Sequence, residues 1–414
     1  MASDPTKMDA LDSEQRKLNV QRILQDSLGL TVNSTDIAPI DRGYNNYLYT
    51  VKIANALTKP GNTQPGTVAL STGHTQDLVV RLLKTELGAI PERVQNEVAA
   101  LFLARQPLAS VVRVPEVYAW SEGRGPHGIP FIIMELLPGV PLDTIWPHLD
   151  LPTRLPILTQ IGQILTVLRS IQIPVPLAPS NYAFGGLTFS ASGNITTTVH
   201  PDANGGPFTC AEEQWLFMLS NKLQDADKNT FIKGWKGAAQ PDLRNRIDSF
   251  IEKDNGFRVI LRQVAQEPIF VHGDYKCQNF LISPETHRIT GLLDFEFARI
   301  GTAPEELLDG LGDFRQHTCV QPAPDGFNIH LLESNGWPCQ LSGPTSLGCQ
   351  TAKAWRDLIQ HPTQYEETAK MSAFIEELCP WYFCQEPWCN SHDMVVERRI
   401  AERSLSNLLK TWGF

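Results

Sequence analysis

The sequence predicts an α+β chain of two lobes, strand-rich first and mostly helical second. Three observations predict it. Between residues 40 and 135, apolar residues alternate at strand period or fall in short buried-type runs, with one helix among them. At Leu136-Leu137-Pro138-Gly139 the pattern changes abruptly. Beyond it the period turns helical, beginning with Leu155, Leu158, Ile161, Leu165, Leu168 and Ile171. The expected lobes are 1–137 and 138–414.

Residues 14–28 read as a short amphipathic helix carrying Leu18, Ile23 and Leu28. In IDRGYNNYLYTVKI (40–53), Tyr47, Tyr49, Val51 and Ile53 alternate with polar or outward positions. Asp41, Gly43 and Asn45-Asn46 mark a tight turn before that strand. Residues 55–76, rich in Gly, Pro, Thr and Asn, read as a long hairpin insertion. Leu78 to Leu83 is a buried-type strand that carries one cation, Arg81, with Lys84 just beyond. Pro91 opens a helix over 91–105 whose one face is Val94, Val98 and Leu101. Glu97 lies near that face, where a carboxylate needs a cationic partner; Arg81 is the candidate. Strands follow at 114–120 and 131–135. Helices are expected at 152–172, 211–223, 242–264, 350–359, 364–378 and 394–412, with hairpin chemistry over 181–209 and a long irregular insertion at 315–349.

The composition excludes several classes. With 414 residues, 42% hydrophobic and 19% charged, the chain has the make-up of a globular protein with a real core. A net charge of −10 argues against a broad nucleic-acid surface. The first twenty residues lack the apolar core of a signal peptide, and no stretch approaches the roughly 18 apolar residues of a membrane span. Eight cysteines in so long a chain do not make a disulfide framework, so a reducing cytoplasm is the expected setting. Cys379, Cys384, Cys389 and His392 cluster, but their spacing matches no common zinc pattern, and the aromatic residues between them read as core.

The chemistry concentrates in FVHGDYKCQNFLISPETHRITGLLDFEFA at 270–298. Asp274 leaves a strand end and enters a loop. Asn279 follows five positions later, and a hairpin turning at Ser283-Pro284-Glu285-Thr286 returns Asp294 beside Asn279. An aspartate that orients a hydroxyl, with two hard oxygen ligands for Mg²⁺, is the set that phosphoryl transfer needs. With that chemistry in view, the turn around Gly43 fits either an ordinary hairpin or a loop laid over nucleotide phosphates. Arg81 becomes a candidate phosphate-binding cation, with Lys84 its alternative. The backbone at Glu135 to Leu137 becomes a candidate edge for an adenine ring.

HGDYKCQNF (272–280) and GLLDFEFA (291–298), with LVVRL, NEVAAL and FIIMELLPGVPL in order before them, resemble the aminoglycoside phosphotransferase/choline kinase family. FGGLTF (184–189) and GGPF (205–208) are similar to its fungal branch. The resemblance implies a protein-kinase-like bilobal fold with a small antiparallel-sheet lobe and a larger helical one. It implies an ATP- and Mg²⁺-dependent kinase acting on a hydroxyl of a small-molecule acceptor. Asp274 would be the catalytic aspartate, Asn279 and Asp294 the Mg²⁺ ligands, and Arg81 and Glu97 the phosphate-binding cation and its helix partner. Lys276 would steady the γ-phosphate.

Two positions depart from the family pattern: Arg81 stands where Lys is commoner, and Glu296 where Gly is frequent. Glu296 reads either as support for the metal site or as an acceptor-site carboxylate. The acidic run Glu305, Glu306, Asp309 and Asp313 reads either as acceptor-facing or as a solvated helix face. The rival function is a kinase-like protein that binds a small molecule, or transforms it otherwise, without phosphoryl transfer. Neither the acceptor nor the oligomeric state is legible in the sequence.

Overall fold

The chain was analysed as a computed structural model, which describes residues 5–43, 45–53, 64–70, 77–84, 92–124, 128–173, 183–202, 205–253, 256–263, 267–303, 305, 347–359 and 364–414. Five strands form one antiparallel sheet: β1 (Ile37–Ile40), β2 (Asn46–Val51), β3 (Leu78–Leu83), β4 (Val117–Glu122) and β5 (Pro130–Glu135), in the order β1-β2-β3-β5-β4. Because side chains alternate along a strand, β3 sends Leu78, Val80 and Leu82 to one face and Arg81 to the other. The first face is covered by α1 (Pro5–Leu28), which packs Val20, Ile23, Leu24 and Leu28 against Tyr49, Val51, Val80 and Ile133. The second is covered by α2 (Glu92–Leu108), through Val94, Val98 and Leu101 beside Trp120, Ile132 and Met134.

The chain leaves this sheet at Glu135 and joins a second body. Its next strand, β6 (Val140–Pro141), pairs with β10 (Phe280–Ile282), which in turn pairs with β11 (Ile289–Leu292). Gly139 makes the crossing possible. It has φ +124°, and a Cβ there would stand 2.5 Å from Thr290 Oγ1 and 3.0 Å from the Ile282 carbonyl oxygen. After α3 (Leu142–Ile145) comes α4 (Leu151–Arg169), whose N-terminus is capped by Asp150 accepting from the Thr153 amide at 3.0 Å. The hairpin β7 (Gly186–Phe189) and β8 (Ile195–Thr198) follows, then α5 (Ala211–Lys228), α6 (Leu243–Glu252) and α7 (Phe257–Gln263). Strands β9 (Pro268–Val271) and β12 (Arg299–Thr302) pair antiparallel around the functional stretch. The end of the chain is helical: α8 (Leu347–Ile359), α9 (Gln364–Leu378), α10 (Glu386–Ser391) and α11 (Met394–Thr411).

Beyond the α1 face of the sheet, two further apolar cores are formed. One runs without interruption from α2 and the inner sheet face through α4 to β9–β12, including Phe270, Tyr275, Phe280 and Phe295. The other joins α5, α6, α7, α9 and α11 around Trp215, Trp235, Phe250 and Phe374. The architecture is therefore the α+β, two-lobed one expected. No helix among the described residues is long and apolar enough to cross a membrane.

Two local readings need correction. The helix expected over 242–264 is two helices, because Gly256 comes so close to Phe250 that a Cβ there would lie 1.9 Å from the Phe250 carbonyl oxygen. The strand expected from Val114 begins at Val117, after Pro115, which has no N–H to give a ladder. The turn expected between two strands around Gly43 is present, with β1 ending at Ile40 and β2 starting at Asn46. Pro91, most of the 55–76 insertion and 315–346 lie outside the described residues.

Asn96, buried on α2, ties the two bodies together. Its Nδ2 donates to the carbonyls of Glu296 (3.0 Å) and Ala298 (2.9 Å), and its Oδ1 accepts from the Leu187 amide (2.6 Å). Asn96→Ala would leave three buried backbone groups without these partners. We expect it to lower unfolding free energy by roughly 2–4 kcal/mol, measured by urea denaturation. A midpoint unchanged from the parent would contradict this role.

Candidate active site

The Asp274 loop is shaped before any side chain acts. Gly273 has φ +81°, and a Cβ there would lie 2.2 Å from the Phe297 carbonyl oxygen, so only glycine fits between His272 and Asp274. His272 is fully buried. Its Nδ1 accepts from the Asp274 amide at 3.2 Å, which leaves Nε2 to donate to the Leu293 carbonyl at 3.0 Å. One ring thus fixes Asp274 to the residue before Asp294. Burial pushes the imidazole down to about 4; the neighbouring Asp274 carboxylate and the bond to Leu293 oppose that push, and Lys276 adds to it.

Asn279 sits on a single 3-10 turn, Cys277–Asn279. Its Nδ2 donates to both the main-chain oxygen and Oδ2 of Asp274, each at 2.8 Å, so its Oδ1 faces away from those bonds. Its carbonyl accepts from Leu293 at 2.8 Å, and β10 pairs with β11 from Phe280 to Leu292. The hairpin therefore brings 294 back beside 279, as expected. Asp294 itself has φ +64°, a left-handed backbone that is strained for aspartate. Lys276 Nζ lies 2.5 Å from Asp274 Oδ1.

The sheet lobe supplies Arg81. Its Nη1 is 2.6 Å from Glu97 Oε1 and 3.2 Å from Asp294 Oδ1, and its Nη2 bonds Glu296. The predicted Arg81–Glu97 pair is present, but two further carboxylates from the other lobe share the same guanidinium. Glu296 is also held by Asn45 Nδ2 (2.6 Å) and Asn46 Nδ2 (3.1 Å), and it is buried. It therefore faces the Arg81 side and the turn before β2; it is not exposed to an acceptor.

Burial of the Arg81 guanidinium works against its charge, but the carboxylates of Glu97, Glu296 and Asp294 outweigh that and hold it more firmly charged than usual. Desolvation raises Glu97 to about 8 against the pull of Arg81. Desolvation and the Glu296 carboxylate raise Asp294 to about 7. Three carboxylates share one guanidinium, so the cluster is short of positive charge. Asp294 is the member that keeps an open side, with 31% of its side chain exposed against 2–3% for Glu97 and Glu296. Hard oxygens, a charge deficit and one open carboxylate fit a divalent cation such as Mg²⁺.

The turn at 41–46 lies across to the second lobe. Arg42 Nη1 meets Asp143 Oδ1 at 3.0 Å on the solvent side, and Asn45 and Asn46 reach Glu296 inside. Gly43 has φ +105° and its carbonyl accepts from Lys84 Nζ at 3.1 Å. Lys84 also lies over the Tyr47 ring, so the alternative phosphate cation is committed to the turn. At the lobe junction the Glu135 amide donates to the Glu116 carbonyl (2.8 Å) and that of Leu136 to Asp77 (3.3 Å). The Glu135 side chain is bound by Arg113. The expected free edge at 135–137 therefore narrows to the Leu137 amide, for which no partner is found among the described residues.

Glu305 is corrected outright. It is buried and accepts from Arg299 Nε (3.0 Å), the Thr302 amide (2.7 Å) and Thr302 Oγ1 (2.8 Å), so it neither faces an acceptor nor a solvated helix face. Glu306, Asp309 and Asp313 lie outside the described residues. Sequence reasoning missed Asn45, Asn46, Asn96 and His272 as parts of the site. The polar Asn-Asn pair beside a glycine turn, and the His-Gly before Asp274, were the available signals.

A family model described as "Phosphotransferase enzyme family" matches residues 59–338. No curated protein matches significantly. Among solved structures, the chain is similar to the streptomycin–ATP–APH(2")-IIa ternary complex (14% identity, 94% of this chain and 95% of that one, TM-score 0.49). It is also similar to the macrolide 2'-phosphotransferase MphH from Brachybacterium faecium (16%, 97% and 98%, 0.46). A third is an aminoglycoside phosphotransferase, APH(2")-Ib bound to ADP (14%, 95% and 96%, 0.48).

Arg81→Lys replaces a fork of donors with one nitrogen, so at least one carboxylate loses its charge-assisted bond. We expect roughly 1.5–3 kcal/mol of lost stability, read from denaturant midpoints; equal midpoints would refute the shared-guanidinium reading. His272 gives a pH signature. Its folded pKa, about 4, lies below the ordinary 6.5, so the unfolded chain binds the extra proton first. Its stabilising effect is full above pH 6.5 and is lost as pH falls towards 4, a change on the order of 3 kcal/mol. His272→Asn should flatten that slope in denaturation measured between pH 7 and pH 4.5; an unchanged slope would overturn the assignment.

Proposed function

The chain belongs to the phosphotransferase enzyme family, and from that premise we propose that it is an ATP- and Mg²⁺-dependent kinase acting on a hydroxyl of a small-molecule metabolite. The observation that supports this most is convergence across the cleft. Asp274 and Asn279, linked at 2.8 Å, stand on one lobe beside Asp294, and Arg81 reaches Asp294 from the other. The working lobes are 1–137 and 138–414. The likeness to the fungal branch of the family rests on FGGLTF and GGPF, which pair backbone to backbone through Phe184 and Phe208.

In this reading Asp274 orients the acceptor hydroxyl and takes its proton as the oxygen–phosphorus bond forms, while the bond from the γ-phosphorus to the bridging oxygen breaks and ADP leaves. Lys276, beside Asp274, steadies the γ-phosphate. Arg81, fixed by Glu97, presents its charge to the phosphates, and the turn around Gly43 lies over them. The Leu137 amide, next to Glu135, meets the edge of the base. Asn279 Oδ1 and Asp294 would hold Mg²⁺, which would supply positive charge to offset the charge of the phosphates.

Asp274→Asn keeps the shape of the side chain and removes the proton acceptor. We expect phosphorylation, followed as ADP release over a panel of alcohols and amino alcohols, to fall by about 10²–10⁴-fold, while the thermal shift with ATP and Mg²⁺ is kept. Unchanged turnover would sink the proposal. A parent protein that shows no shift at millimolar ATP with Mg²⁺ would favour a binding role for another ligand.

A further inference from the structure

The cysteine cluster near the C-terminus is outside the nucleotide cleft and is not used by the proposed chemistry. It is not a metal centre: among the described residues no group of three or more His, Cys, Asp or Glu side chains is arranged to hold an ion. Cys389 Sγ points at the carbonyls of Tyr382 (3.5 Å) and Phe383 (3.6 Å). The His392 ring lies flat on Trp388, centroids 3.8 Å apart. What remains is a pair. Cys379 Sγ and Cys384 Sγ are 3.8 Å apart, both as free thiols.

We propose that Cys379 and Cys384 are a redox modification site, oxidised by hydroperoxides to an intramolecular disulfide that ties the end of α9 to the turn at Trp381–Cys384. Three features carry this. The first is distance: a disulfide needs the sulfurs at about 2.05 Å, so closure asks for less than 2 Å of approach.

The second is that the backbone on both sides is already fixed. The Leu378 carbonyl accepts from Trp235 Nε1 at 3.0 Å, and the Phe383 carbonyl accepts from Asn229 Nδ2 at 3.0 Å. The Phe383 amide donates to the Pro380 carbonyl at 3.0 Å, which closes the intervening turn. The two sulfurs are held near each other and do not depend on a chance encounter.

The third is asymmetry. Cys384 is exposed and Cys379 is buried, so an oxidant reaches one member first and the other is in place to resolve it. The sulfur–sulfur contact with Cys379 pulls the Cys384 thiol down to about 6, against the burial that pushes it up. Lys222 bonds the Cys379 carbonyl at 3.4 Å and Glu376 at 2.9 Å, and the nearby Asp225 carboxylate offsets its charge at Cys384, so the exposure and the sulfur–sulfur contact carry the asymmetry.

The chemistry balances. The Cys384 thiolate attacks one oxygen of the hydroperoxide, the O–O bond breaks, and the alcohol or water leaves with a proton; Cys384 is now a sulfenic acid. Cys379 sulfur then attacks the Cys384 sulfur, the S–O bond breaks, and the Cys379 proton leaves with hydroxide as water. The two thiols give up two electrons and two protons in all, and the hydroperoxide takes the electrons.

The test does not depend on the phosphotransferase reading. The reduced full-length protein is treated with stoichiometric hydrogen peroxide, alkylated and digested with trypsin, which releases 371–398 carrying all three cysteines. The expected product lacks two hydrogens and carries one alkyl group, on Cys389; dithiothreitol restores triple alkylation. In Cys379→Ser, dimedone should trap Cys384 as the sulfenic acid and no hydrogens should be lost. Triple alkylation after peroxide, or a bond that includes Cys389 in either protein, would overturn the proposal.

Discussion

One guanidinium carries the joint between the two lobes. Arg81 comes from the middle of the sheet, and its three carboxylates come from α2 and from two positions after the β10–β11 hairpin. Taking four charged groups out of water is expensive, and their mutual attraction roughly repays it only when the geometry is good. Here the repayment is incomplete by construction, since three carboxyl groups meet one guanidinium. The imbalance shows as carboxyl groups raised towards neutrality. A site of this kind is costly as structure alone. It becomes economical when a cation completes it, which is why the charge deficit bears on function as well as on stability.

The rest of the site is aligned by uncharged groups. His272 bridges the Asp274 amide to the Leu293 carbonyl, and Asn279 bridges the main-chain oxygen and Oδ2 of Asp274 to the hairpin. Asn96 adds a third bridge, from α2 to the carbonyls flanking Phe297. Neutral amides and an imidazole suit this task. They pay less to be buried than carboxylates, and each can donate and accept at fixed angles. Neutral side chains thus set the Asp274 loop and its hairpin, while charged ones hold Arg81 and the turn before β2.

The sequence made the fold class legible because period is a local property. Alternation along β3, helical spacing along α4 and the break at Pro138-Gly139 each need only a short window. The pair Arg81–Glu97 was also legible, since adjacent elements leave few partners for a buried carboxylate. What was hidden depends on long-range closure. Nothing local to Asn45 or Asn46 announces a bond to Glu296, about 250 residues away. The same applies to Glu305, whose acidic neighbours suggested a surface face although its partner Arg299 lies on a buried strand. The break between α6 and α7 was not hidden in this way: Asp254-Asn255-Gly256 carries the turn dipeptide Asn-Gly, and the amphipathic runs on either side outweighed it.

The two departures from the family pattern explain one another. Position 81 is Arg where Lys is commoner, and 296 is Glu where Gly is frequent. A lysine ammonium is a single point of charge and cannot serve Glu97 and Asp294 from one nitrogen and Glu296 from another. A guanidinium does so, with Nη1 for the first two and Nη2 for the third. Once Glu296 is present, its second oxygen is available, and Asn45 takes it. The extra carboxylate therefore does more than crowd the site: through it, the turn around Gly43 is fastened to Arg81. In this chain they are one unit, and any anion that draws on Nη2 of Arg81 must compete with the carboxylate that holds the turn down.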